Sequence, residues 1–179
     1  MKFWDASAVV ELVASESRIT VVEDVLVVDP AMAVWWGTPI ECRSALARRH
    51  RQGQLSVHDI GVAQRAVDAY LGRAQEIGPT LNVRDRALRL VDVHELRATA
   101  ALQLAAALAW ARERPAGVGF VCLDRRLRAA AGREGFDLLP NELALARRAP
   151  PAPMIPIFVS DDPAFAERTD EHLTGFGSR

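Results

Sequence analysis

Cysteine is scarce in this 179-residue chain, and its scarcity excludes two ways of holding a protein together. Cys42 and Cys122 are too few for a disulfide framework or a cysteine-based zinc site. The four histidines, His50, His58, His94 and His172, fall at no ligand spacing. An excess of charge of one sign is also missing. The 22 basic and 23 acidic residues leave a net charge of −1, which excludes attachment to nucleic acid by bulk charge but is compatible with a local basic groove. No glycine-rich phosphate loop supports a nucleotide-binding α/β domain. The longest apolar run, Leu104 to Ala111, falls far short of the roughly 18 residues that a membrane span needs. Asp5, Glu11, Glu16 and Glu23 interrupt the region where a secretory leader would be apolar. The expectation is a cytoplasmic chain with no membrane partner.

What is present is an alternation of short apolar runs and helical patterns. Strands are predicted at Lys2 to Trp4, Met32 to Trp36, Leu81 to Val83, Gly119 to Leu123 and Phe136 to Leu139. Helices are predicted at Ser7 to Ala14, Thr38 to Arg51, Ser56 to Glu76, Arg84 to Val91, Thr99 to Arg112 and Arg125 to Arg133. Thr38 as N-cap, Pro39 at the first helical position and Glu41 three residues on spell a capping box, and Ser56 with Asp59 repeats the device. Helix Thr99 to Arg112 is apolar nearly all round, with Gln103 standing out in its middle, as in a helix packed on several sides. Strands alternating with helices imply βαβ crossovers and a mostly parallel sheet, an α/β fold.

The composition shifts at Pro140, and six of the ten prolines lie from there to the end. This divides the chain into a domain of residues 1–140 and a proline-interrupted extension of residues 141–179. Its apolar segment, Ile155 to Val159, is expected to bury its side chains against the domain or a second copy.

Ligands of parallel α/β proteins bind where strand carboxyl ends converge. Three acids fall at such places: Asp5 ends the first strand, Asp124 follows the Gly119 to Leu123 strand, and Glu41 lies in the first turn of the helix after Met32 to Trp36. Clustered carboxylates repel one another unless a cation lies between them, and all-oxygen ligation suits Mg²⁺ or Mn²⁺. Each acid also has a purely structural reading, as an N-cap for Asp5 and Asp124 and as the capping-box partner for Glu41.

The segment Phe3-Trp4-Asp5-Ala6-Ser7-Ala8-Val9-Val10-Glu11-Leu12 resembles the opening of a PIN domain, and Pro39-Ile40-Glu41-Cys42-Arg43-Ser44-Ala45-Leu46-Ala47-Arg48-Arg49 resembles that family's second motif. Leu96-Arg97-Ala98-Thr99-Ala100-Ala101-Leu102-Gln103-Leu104-Ala105 is similar to the third, and Leu123-Asp124-Arg125-Arg126-Leu127 with Gly135-Phe136 to the fourth. Order and spacing agree over about 140 residues, most closely with the VapC-type toxins of bacterial toxin–antitoxin pairs. The resemblance implies a three-layer α/β/α domain and a Mg²⁺- or Mn²⁺-dependent endoribonuclease. It implies Asp5, Glu41 and Asp124 as metal ligands, a cognate antitoxin, an RNA substrate and a homodimer.

One position departs from the pattern: Ala100 stands where the third motif carries an aspartate. A methyl cannot ligate a metal, so the chain as written reads as an impaired nuclease. A deliberate Asp→Ala change is the favoured origin over natural decay, and a degenerate module that binds antitoxin or RNA without cutting is the alternative function. Ser7 and Arg97 are auxiliary candidates, beside Asp5 and toward substrate phosphate respectively. Arg43, Arg48, Arg49 and Arg51 form a basic stripe that fits an RNA backbone or a solvated face. Trp35 and Trp36 offer a stacking surface, although adjacent strand residues point to opposite faces and at least one belongs to the core or an interface.

Overall fold

The short strands owe their placement to alternation. In β1 (Lys2–Trp4), Phe3 and Trp4 are both fully buried and point to opposite faces of the sheet, each seeding one of two apolar clusters. Strand β2 (Met32–Trp35) is buried throughout and splits the same way, with Ala33 and Trp35 on the Phe3 side and Met32 and Val34 on the Trp4 side. A strand buried on both faces is what a parallel sheet covered by helices requires. The structure is a computed structural model that describes residues 1–14 and 21–141. The proposed domain boundary at residue 140 lies at the edge of this range, and the extension with its Ile155 to Val159 segment lies outside it.

After β1 come α1 (Ala6–Ala14) and α2 (Val21–Val28), then β2, α3 (Thr38–Arg51), α4 (Val57–Leu71) and β3 (Gln75–Ile77). The second half runs α5 (Leu81–His94), α6 (Ala98–Trp110), β4 (Gly119–Val121), α7 (Arg125–Arg133) and β5 (Asp137–Leu139). All five strands are parallel in the order β3-β2-β1-β4-β5, with Phe3 registered between Ala33 and Phe120. Helices α1 to α4 cover the Trp4 face and α5 to α7 the Phe3 face. The expected α/β/α arrangement is thus observed.

Three readings of the chain are corrected. The third strand is Gln75–Ile77, not Leu81 to Val83: helix α4 stops at Leu71 with Gly72 as C-cap, and Leu81 to Val83 form the first turn of α5, where the Thr80 hydroxyl accepts from the Val83 amide at 3.2 Å. As an edge strand with exposed Gln75 and Glu76, β3 carries no apolar signature. Helix α2 was not anticipated, since its run of valines favours a strand. The box at Ser56 forms as read, but the one at Thr38 does not.

Arg128 is the most consequential buried charge in the frame. Its guanidinium donates to the carbonyls of Cys122 (2.8 Å), Leu139 (2.7 Å) and Pro140 (2.8 Å), tying together the ends of β4 and β5. Burial pulls its pKa below the ordinary arginine value.

Candidate active site

The topology creates a crevice. Chain leaving β1 crosses toward β2, whereas chain leaving β4 crosses toward β5, so the connections after these adjacent strands diverge and open a gap at their carboxyl ends. Asp5 directly follows β1, and Asp124 begins α7 three residues beyond β4. A cleft of about 650 Å³ lies there, lined by Asp5, Ser7, Glu41, Arg48, Ala100 and Asp124 among others. Residues from four separate motifs of the sequence therefore meet at one place.

Asp5 is buried, and its Oδ2 accepts from the Ser7 amide at 2.9 Å and from the Ser7 hydroxyl. The Cys122 thiol approaches the same oxygen at 3.5 Å. The Ser7 hydroxyl in turn accepts from the Leu123 amide at 2.9 Å, so one side chain links the end of β1 to the loop that carries Asp124. Burial raises the Asp5 pKa, and the Asp124 charge adds to that rise, while the Ser7 bonds oppose it.

Glu41 is delivered by a local arrangement that the sequence pattern misrepresents. Gly37, in a right-handed conformation, is the N-cap of α3 and provides no side-chain cap, so Thr38 and Pro39 lie inside the helix. The Thr38 hydroxyl is buried and accepts from Gln103 Nε2 at 3.2 Å, and the same amide nitrogen donates to Glu41 Oε1 at 3.2 Å. A tertiary partner on α6 has replaced the capping box, and Glu41 is turned into the cleft instead. Burial, followed by repulsion from Asp5, pushes its pKa up to about 7.

This shift has a stability consequence. Glu41 loses its proton earlier in the unfolded chain than in the folded one, so between about pH 4.5 and 7 the folded state holds more protons and stability falls as pH rises. The metal-free protein is expected to lose on the order of 2 kcal/mol across that window after allowance for solvent screening. Urea titrations at several pH values check this. The slope should flatten in Glu41→Gln, and an equal slope in both proteins would contradict it.

Asp124 serves two purposes at once. Its Oδ1 caps α7 by accepting from the Leu127 amide at 2.9 Å, which leaves Oδ2 for the cleft. Ala100 lies in the first turn of α6 on the cleft wall, and that helix has no acidic residue in its first turn and no side-chain cap. Arg48 lines the cleft, as does Arg49, whose guanidinium also donates to the Ala14 carbonyl at 3.0 Å and lies 3.7 Å from Glu11.

The donor groups of the cleft, the carboxylates of Asp5, Glu41 and Asp124, are the hard oxygen ligands that a divalent cation such as Mg²⁺ takes. Among the described residues no group of three or more His, Cys, Asp and Glu side chains is drawn close enough to form a ready-made metal cage. The chemistry nevertheless fits: three carboxylates share one cleft, two have raised pKa values, and each raised value includes repulsion from another of the three. Mg²⁺ is commonly held by one or two carboxylates with water completing its shell, which matches such a loose set.

Not every candidate reaches the cleft. Arg97 is the exposed N-cap of α6 and does not line it, Arg43 pairs with Asp68 at 2.7 Å, and Arg51 is exposed at the end of α3. Trp35, the last residue of β2, is buried, whereas Trp36 lies in the turn that follows and is half exposed. The Trp35 ring also explains Gly37, where a Cβ would stand 2.5 Å from the indole nitrogen. Gly37→Ala is therefore expected to cost about 1–3 kcal/mol through overpacking, read as a lowered urea midpoint. Gln103 and Thr38 were not identified as site residues from sequence. The signal available was the isolated Gln103 in an apolar helix.

No protein-family model matches the chain. Two ribonucleases of Mycobacterium tuberculosis, VapC45 of strain CDC 1551 / Oshkosh and VapC49 of strain ATCC 25618 / H37Rv, are each 29% identical to it over 150 residues, covering 79% of this chain and 96% of theirs. The crystal structure of PAE2754 from Pyrobaculum aerophilum superposes with a TM-score of 0.52 at 24% identity, over 76% of this chain and 82% of that one, a likeness of fold. The chain is thus distantly similar to VapC ribonucleases, and its five-stranded parallel sheet flanked by helices has the fold of PAE2754.

Proposed function

We propose that this protein is built as a metal-dependent endoribonuclease, the toxin of a toxin–antitoxin pair, with Asp5, Glu41 and Asp124 as the metal ligands. The observation that carries the reading is the meeting of these three carboxylates in one cleft at the switch point of the sheet, in a chain distantly similar to VapC ribonucleases. A bound Mg²⁺ or Mn²⁺ ion would supply activation of the attacking water and neutralisation of charge at the phosphate.

The chain's own residues prepare that site. Ser7 pins one oxygen of Asp5 and leaves Oδ1 without a partner among the described residues. Gln103, anchored on Thr38, holds one oxygen of Glu41. Arg48, which makes no ion pair among the described residues, is positioned to meet the RNA backbone. No protein nucleophile is needed, and the cysteines do not provide one: burial pushes the Cys42 thiol up to about 12 and the Cys122 thiol higher still.

Ala100 on the cleft wall favours a second reading, a PIN-like module that retains antitoxin or RNA binding without cleavage. On either reading the partners are a cognate antitoxin and a second copy of the chain in the cytoplasm. The first test is calorimetric titration with Mn²⁺ at neutral pH. The chain is expected to bind the ion and to melt at higher temperature in its presence, and Asp5→Asn is expected to weaken binding by about 10–100-fold. Identical titrations for the two proteins would remove Asp5 from the site.

A further inference from the structure

A second pocket, of about 420 Å³, lies against the opposite side of α7. Arg126 and Arg133 line it, seven residues apart on one helical face, with the small Ala129 and Ala130 between them. Neither arginine has a hydrogen-bonded or ion-paired partner among the described residues. The facing wall is the end of α5, His94 and Glu95.

That wall is braced. Glu134 accepts two bonds from Arg89, at 3.2 and 2.8 Å, and its Oε1 lies 2.7 Å from His94 Nε2, which ties the end of α5 to the end of α7. The His94 side chain is almost fully buried, and its Nδ1 has no partner among the described residues. Among the described residues the walls therefore offer two unpaired cations, Arg126 and Arg133, against one unpaired carboxylate, Glu95. Seven residues of helix rise about 10 Å, so the two guanidiniums suit separate phosphates along one strand, each held by the donors of one fork.

The position of the pocket suggests where those phosphates come from. Asp124 and Leu127 of α7 face the cleft, while Arg126 and Arg133 face the pocket, so the two openings are separated by the width of one helix. An α-helix is about 10 Å across, on the order of three nucleotides of a strand. We propose that the Arg126–Arg133 pocket is a phosphate site that holds the backbone of an RNA strand a few nucleotides from the cleft. The source of the phosphate rests on the nuclease reading, whereas the phosphate chemistry of the pocket does not.

The test uses the full chain in EDTA, so that binding is read without cleavage. A short fluorescein-labelled single-stranded RNA is titrated by anisotropy across a salt series against the unaltered protein, R126A/R133A and the charge-matched control R65A/R84A. The proposal expects R126A/R133A to bind about three- to ten-fold more weakly and to reduce the salt slope by about 1.4, two phosphate contacts' worth, with the control unchanged. Equal binding by all three proteins, or equal weakening by the control, overturns it while leaving RNA binding in the cleft intact. A second arm follows the His94 ring resonances by NMR as inorganic phosphate is added. If the unaltered protein binds no RNA but phosphate shifts these resonances and R126A/R133A abolishes the shift, the pocket is a phosphate site and its assignment to an RNA strand is overturned. If neither RNA nor phosphate binds, the pocket proposal is overturned.

Discussion

Ala100→Asp is expected to raise RNA cleavage and Mn²⁺ affinity together, each by at least ~10–100-fold, and to make the chain toxic when it is expressed without an antitoxin. The expectation follows from position. Ala100 lies in the first turn of α6 on the wall of the cleft that Asp5, Glu41 and Asp124 also line. A carboxylate added there joins a set already strained by like charge, so a cation gains a ligand and relieves more repulsion. The fold should tolerate the change, because an acid in the first turn interacts favourably with the helix N-terminus while the added repulsion opposes that gain. The metal-free melting temperature is accordingly expected to stay within about 3 °C. Matched calorimetry, a fluorescent RNA substrate and an Asp5→Ala control in the Ala100→Asp background make the comparison. If the aspartate variant neither binds metal more tightly nor cuts RNA, the methyl at position 100 is not what limits the chain, and the non-catalytic module becomes the better account.

Replacing Arg128 is expected to produce the largest loss of stability. Arg128→Met keeps most of the buried stem but withdraws the donors from three carbonyls at the ends of β4 and β5. Leaving buried acceptors unsatisfied costs about 1–3 kcal/mol each, and partial rescue by water brings the expected total to roughly 3 kcal/mol. For a domain of this size that lowers the melting temperature by about 10 °C. The Cys122 carbonyl lies two residues before Asp124, so the same variant should also loosen the loop that presents Asp124 and weaken Mn²⁺ binding. Arg128→Lys, which restores a single charged donor group, should recover part of both losses. A melting temperature for Arg128→Met within 1–2 °C of the unaltered chain would mean that the clamp is energetically idle.

Some features needed only local chemistry. The capping box at Ser56 and Asp59 forms because its hydrogen bonds close within four residues, and the Arg125 to Arg133 helix matches its predicted bounds for the same reason. Buried strands such as β1 and β2 announce themselves by continuous apolar side chains, and the order of the four motifs carried the family resemblance. Other features were decided by partners far away in sequence. Thr38 reads as a cap, yet Gln103, 65 residues later, takes its hydroxyl and one oxygen of Glu41. Strand β3 is held by pairing with β2 along an exposed edge, so no apolar pattern marks it. Arg128 looks like one more surface arginine until the ends of β4 and β5 close around it. The sequence alone identified Asp5, Glu41 and Asp124 as candidates, because acids near strand ends follow a short-range pattern. Only the order of the strands brings all three into one cleft, where burial and mutual repulsion raise the pKa values of Asp5 and Glu41.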